Sequence, residues 1–200
     1  MKALQGVDGH VEWVEAERPT CDAGQVRIRV AAAGLNRADL LQMKGLYPPP
    51  PGASPYMGLE CSGVVEEVGA GAAWRVGDRV CALLASGAMA EEVVVDARHV
   101  LPVPEGLGLH EAAALPEVYA TAWLNIFQLG AVKAGEKVLV HAGAVALARP
   151  PSSCARRSAA RYGSASVRRT AWPTARRWAL RGVWYVTRTW TRWKVSARSM

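Results

Sequence analysis

Two hundred residues, half of them hydrophobic, can fill one packed domain or one domain and part of a second. The formal charge of +7 averages two unlike regions: residues 1–143 hold 11 basic and all 17 acidic residues, whereas residues 144–200 hold 13 Lys and Arg and no acid. The split excludes a uniformly basic nucleic-acid-binding chain. No stretch reaches the ~18 consecutive apolar residues of a membrane span, and Cys21, Cys61, Cys81 and Cys154 lack the spacing of zinc ligands.

No apolar run follows Lys2, so no secretory signal is expected, and reduced thiols in a cytoplasmic protein are the corresponding expectation. From Gln25 to Val30, apolar and polar side chains alternate as a strand with one buried face requires. The Gly-rich stretch from Gly58 to Gly71, with Val64, Val65 and Val68, suits a curved barrel strand entering a turn. A Gly77-Asp78 turn precedes an apolar strand from Val80 to Leu84, and Glu91 to Asp96 offers another. Short strands separated by turn signals point to a small β-barrel.

Val118, Ala122, Ile126 and Leu129 share one face of a helix expected over Glu117 to Leu129, which Gly130 ends. A turn at Ala134 to Lys137 leads into the apolar run Val138-Leu139-Val140-His141-Ala142-Gly143. A helix, a tight turn and a buried strand ending in Gly open a dinucleotide-binding domain, in which a Gly-rich turn would bring backbone N–H groups to the pyrophosphate. Ala144 to Pro151 contains no Gly, and Pro150-Pro151 would block a helix interior.

Four stretches, in order, carry a resemblance. They are Ala33-Gly34-Leu35-Asn36-Arg37-Ala38-Asp39-Leu40, Gly45-Leu46-Tyr47-Pro48-Pro49-Pro50-Pro51-Gly52, Gly58-Leu59-Glu60-Cys61-Ser62-Gly63-Val64-Val65 with Gly77-Asp78, and Gly135-Glu136-Lys137-Val138-Leu139-Val140-His141-Ala142-Gly143. They resemble the zinc-free quinone oxidoreductases of the medium-chain dehydrogenase/reductase superfamily. The resemblance implies a mixed α/β fold, with a GroES-like catalytic barrel over 1–115 and the first helix and strand of a Rossmann domain over 116–143, whereas the composition of 144–200 marks an aberrant basic tail that is expected to be disordered. It further implies NADPH as cofactor, a quinone-like small molecule as acceptor and a family homodimer whose Rossmann edge this chain lacks; composition and hydropathy lead to the expectation of no nucleic-acid or membrane partner.

Site residues follow from the same comparison. Tyr47 resembles the active-site Tyr that hydrogen-bonds the acceptor oxygen; packing on Pro48 is the alternative. Asn36 resembles an Asn beside the nicotinamide, with a catalytic and a cofactor-binding part, or else caps the helix starting near Ala38. Thr121 resembles a Thr facing the nicotinamide amide, although a helical Thr often bonds the carbonyl four residues back. His141, Ala142 and Gly143 stand where the cofactor turn begins, and His141 alternatively packs as a hydrogen-bonded core residue. Asp39 and Glu60 match motif positions and could simply satisfy buried backbone donors. Zinc members of the superfamily place Cys at the position of Asn36 and His at that of Leu59. Neither residue here supplies a thiolate or imidazole, so no metal is expected.

A lost base at codon 144 accounts for the tail. Shifting the frame from Val145 onward recovers SGVGSAAIQLCKAFG, which behind His141-Ala142-Gly143-Ala144 restores the missing Gly-rich turn. The same Arg- and Trp-rich composition would also suit single-stranded nucleic acid. An inert remnant that folds and does nothing is the third reading.

Overall fold

The computed structural model describes residues 1–141, 161–165 and 184–185. The chain forms two units, Met1–Glu117 and Val118–Met200.

The first unit is built on a five-stranded antiparallel sheet. Its strands are β3 (Gln25–Ala33), β4 (Glu60–Val68), β5 (Arg79–Leu83), β6 (Glu92–Asp96) and β7 (Val100–Pro102), in the spatial order β6-β3-β4-β5-β7. The alternation in β3 has the expected effect: Val26 and Ile28 are fully buried, while Arg27 and Arg29 turn outward to Glu67 and Glu66 on the neighbouring strand. Register breaks between Arg27 and Ile28 and between Val30 and Ala32 bend β3, as bulges do, and curl the sheet. The core gathers Val26, Ile28, Cys61, Val65 and Val80, each large apolar side chain contributing ~1.5–3 kcal/mol by burial. Gly63 lies so close to the Arg29 carbonyl that no side chain could stand there.

A second, two-stranded sheet pairs β1 (Lys2–Val7) with β2 (His10–Glu15). It is absent from the expectations above, although Asp8-Gly9 between apolar runs is a strong hairpin signal. Both turn residues have positive φ, 47° and 86°, as a type I′ turn demands. β1 joins the rest of the unit through Leu4 N–H to Met89 O and Met57 N–H to Leu4 O, at 2.8 and 2.9 Å.

Two helices complete this unit: α1 (Arg37–Gln42), in the connection between β3 and β4, and the single turn α2 (Leu109–Ala112). Ser62 on β4 donates its hydroxyl proton to the Leu109 carbonyl and so ties α2 to the sheet. A third helix, α3 (Pro116–Trp123), begins at the end of the first unit and runs into the second.

Within the second unit the expected helix over 117–129 divides. α3 gives way to a π-helical stretch, Leu124–Leu129, in which the Gly130 N–H reaches back five residues to the Asn125 carbonyl at 2.9 Å. Val118, Ala122 and Ile126 are buried as the periodicity requires, but Leu129 is 43% exposed, because the wider turn rotates it off the shared face. The Asn125 side chain donates to the Thr121 carbonyl at 2.7 Å, the acceptor an α-helix would assign to the Asn125 backbone N–H. β8 (Lys137–His141) pairs in parallel with β9 (Arg161–Ala165) and β10 (Trp184–Tyr185), in the order β10-β8-β9. The expectation of a disordered tail over 144–200 falls mostly outside the described residues; of those that are described, both stretches are strands.

Candidate active site

The end of β3 and the first turn of α1 assemble a polar cluster. Asn36 occupies the helix N-cap in extended conformation, φ −121° and ψ 158°. Asp39, three residues on, reaches back so that its Oδ2 accepts the Asn36 backbone N–H at 2.6 Å, the reciprocal half of a capping box. The Asn36 side-chain amide is turned to Glu60, donating from Nδ2 to Oε1 at 2.8 Å. Glu60 is the first residue of β4 and is 1% exposed; its other oxygen, Oε2, accepts the backbone N–H of Glu117 at 2.9 Å. A carboxylate so buried persists because donors compensate its lost hydration.

The electrostatics of this cluster are those of crowded acids. Burial raises the Glu60 carboxyl above its ordinary value, against the opposing pull of the Glu117 and Asn36 donors, with the charges of Glu117 and Asp39 adding to the rise. Burial likewise raises Asp39, opposed by the Asn36 N–H. Asp39 is 3% exposed, and its Oδ1 has no hydrogen-bond partner among the described residues.

The far end of α1 is clamped by Gln42. Its Nε2 donates to Ser86 Oγ at 3.0 Å and its Oε1 accepts the Gly58 N–H at 3.1 Å, while the Ser86 hydroxyl donates to the Tyr56 carbonyl. The loop between α1 and β4 is therefore held at its base. Tyr47 sits in that loop and is 43% exposed; its hydroxyl makes no hydrogen bond among the described residues. Leu35, Leu40 and Leu46 are exposed as well. A half-exposed phenol on a loop anchored by Gln42 is able to donate to a ligand oxygen.

The remaining candidates belong to the second unit. Thr121 lies on α3, half-buried, with its carbonyl held by Asn125. His141 ends β8, and Ala142 and Gly143 lie outside the described residues. The motif positions of Glu60 and Asp39 lead to the expectation that they satisfy backbone donors. That holds for Glu117 N–H and Asn36 N–H, but it misses the Asn36 side chain. Gln42 and Ser86 lie outside the motifs, and no local pattern marks them, because their partners are distant in sequence.

Leu59 is 6% exposed, and the described residues contain no group of three or more His, Cys, Asp or Glu able to hold a metal ion. Within the first unit, the Asn36 amide and the Tyr47 phenol are groups able to hydrogen-bond a carboxamide or a carbonyl oxygen. The sequence from Ala144 to Pro151 does not suit a pyrophosphate: it has no Gly, and Pro150 and Pro151 lack backbone N–H groups.

Residues 22–105 match the alcohol dehydrogenase GroES-like domain family. The chain is 44% identical over 138 residues to the synaptic vesicle membrane protein VAT-1 homolog of Danio rerio, across 68% of this chain and 28% of that protein. CurK enoyl reductase superposes with a TM-score of 0.75 at 27% identity, covering 91% of this chain and 58% of its own. The quinone oxidoreductase of Thermus thermophilus, also solved in complex with NADPH, superposes with a TM-score of 0.69 at 38% identity, covering 88% and 57%. The chain thus spans less than two thirds of the length of each of these proteins. The fold is mixed α/β with a GroES-like domain, as the motifs implied, and its structural neighbours include quinone oxidoreductases and enoyl reductases of the medium-chain type.

Proposed function

We propose that this chain carries the acceptor-side half of a zinc-free, NADPH-dependent quinone oxidoreductase, and that its own turnover is impaired because the cofactor turn is lost. The observation that carries the reading is the Asn36 amide held by the buried Glu60 in a segment that matches the GroES-like domain. When bound, NADPH supplies the hydride. The first unit contributes the rest: Asn36 orients the nicotinamide carboxamide, and the Tyr47 hydroxyl hydrogen-bonds the acceptor oxygen and stabilises the charge that develops there.

The impairment follows from lost donors. A charge-assisted hydrogen bond to the pyrophosphate contributes ~1.5–3 kcal/mol, and each ~1.4 kcal/mol is tenfold in affinity. Losing several leaves cofactor binding too weak for turnover at ordinary concentrations.

Reduction of an activated carbon–carbon double bond is the second reading, supported by the likeness to CurK enoyl reductase. Steady-state NADPH oxidation with a quinone and with an enoyl thioester separates the two. Both acceptors are offered to the 200-residue chain and to a version with one base restored at codon 144. The restored protein is expected to reduce the quinone and the present chain to show little turnover. Equal turnover by both would show that the Gly-rich turn is dispensable and overturn the account of the break.

A further inference from the structure

We propose that Glu60 is a positioning residue for Asn36, its two carboxylate oxygens dividing between the Asn36 side-chain amide and the Glu117 backbone N–H so that the amide is held in one orientation. The inference rests on the reading of Asn36 as a cofactor-facing residue and assigns the group that sets its orientation.

The geometry is specific. Oε1 receives Asn36 Nδ2 at 2.8 Å and Oε2 receives the Glu117 N–H at 2.9 Å, so neither oxygen of the carboxylate is idle. Glu60 is 1% exposed, which leaves water little chance to replace either donor. The Asn36 backbone N–H is held separately by Asp39 Oδ2 at 2.6 Å in a capping box with the first turn of α1, and Glu60 supplies the acceptor for the amide nitrogen of the side chain. Both oxygens act as acceptors here, one for a backbone N–H that can only donate, and the Asn amide faces the other through Nδ2. The hydrogen-bond polarity of Asn36 is thus dictated by chemistry, with a residue 24 positions away as its cause.

Glu60→Gln keeps the shape and removes one acceptor. The Glu117 N–H is fixed on the backbone and retains the Gln oxygen. The Gln NH2 then meets Asn36 Nδ2, donor against donor, and the Asn36 amide has to turn away.

The test is scalar coupling across hydrogen bonds in the uniformly 15N,13C-labelled 200-residue chain. Correlations from Asn36 Nδ2 and from Glu117 N to the Glu60 side-chain carboxyl carbon are expected. In Glu60→Gln the Glu117 correlation should persist, the Asn36 correlation should vanish, and the Asn36 NH2 resonances should shift. No Asn36 correlation in the unmodified chain, or unchanged Asn36 NH2 resonances in a folded Glu60→Gln, would overturn the proposal. If the variant does not fold, the unmodified chain decides by itself. All readouts are taken without NADPH or acceptor, so a chain that reduces no quinone would defeat the functional reading while these correlations still decide the role of Glu60.

Discussion

The carboxylate of Glu60 occupies the space that a side chain on Gly34 would need, and the Gly34 N–H in turn donates to the Glu60 carbonyl at 3.1 Å. The two residues belong to adjacent strands or their immediate extension, and each constrains the other. Gly34 is required here for room, not for an unusual backbone angle.

A methyl group at Gly34 would push against the Glu60 carboxylate, which cannot swing aside without breaking its bonds to Asn36 or Glu117. Gly34→Ala is therefore expected to destabilise the first unit by ~1–3 kcal/mol, the range for overpacking a filled site. Urea unfolding measures it. A midpoint equal to that of the unmodified chain would mean the carboxylate moves at no cost.

Asp39 makes a prediction about pH. Burial raises its pKa, so between the ordinary carboxylate range near ~4 and the raised value the folded chain binds more protons than the unfolded chain. The contribution of Asp39 to stability is therefore fully present below the ordinary value and is lost as pH rises through the folded one. Asp39→Asn removes this dependence while an amide oxygen still accepts the Asn36 N–H. Relative to the unmodified chain, the variant should gain stability as pH rises from about 4 to about 7. Parallel unfolding midpoints at the two pH values would contradict it.

The cysteines should differ in reactivity. Burial pushes the Cys61 thiol up to about 12, with Cys81 and Glu60 adding to the shift, and burial raises Cys81 as well. Cys21 is partly exposed, and its thiol donates to the Gln25 carbonyl at 3.5 Å. Because the thiolate is the nucleophile, iodoacetamide at neutral pH should label Cys21 at least ~10-fold faster than Cys61 or Cys81. Peptide mapping by mass reads the order, and early labelling of Cys61 would show that the sheet opens locally.

Much of the five-stranded sheet could be read from local pattern. The alternation Gln25 to Val30 marks β3 because a one-sided sheet buries every second residue, and Val26 and Ile28 are indeed fully buried. Gly130 marks the end of the helix, yet the π-helical stretch before it was not legible. Nothing in the spacing of Val118, Ala122 and Ile126 foretells that the Asn125 side chain will take the Thr121 carbonyl. The β1–β2 hairpin is absent from the sequence expectations, although Asp8-Gly9, whose positive φ angles the turn uses, signals it.

Sequence by itself determined the elements whose causes are local: the alternating strand β3, the buried face of Val118, Ala122 and Ile126, and the missing glycines directly after Gly143, while it left Asn36 open between a helix cap and a cofactor contact. Tertiary structure alone decided which groups meet. Glu60 and Glu117 are 57 residues apart, and Gln42 and Ser86 are 44 apart. Pairings at such distances follow from how the sheet curls and where α1 and Glu117 lie against it, and no periodicity along the chain encodes them. The difference is physical: backbone propensity and burial act within a few residues, whereas a buried carboxylate takes whatever donors the finished fold brings within reach.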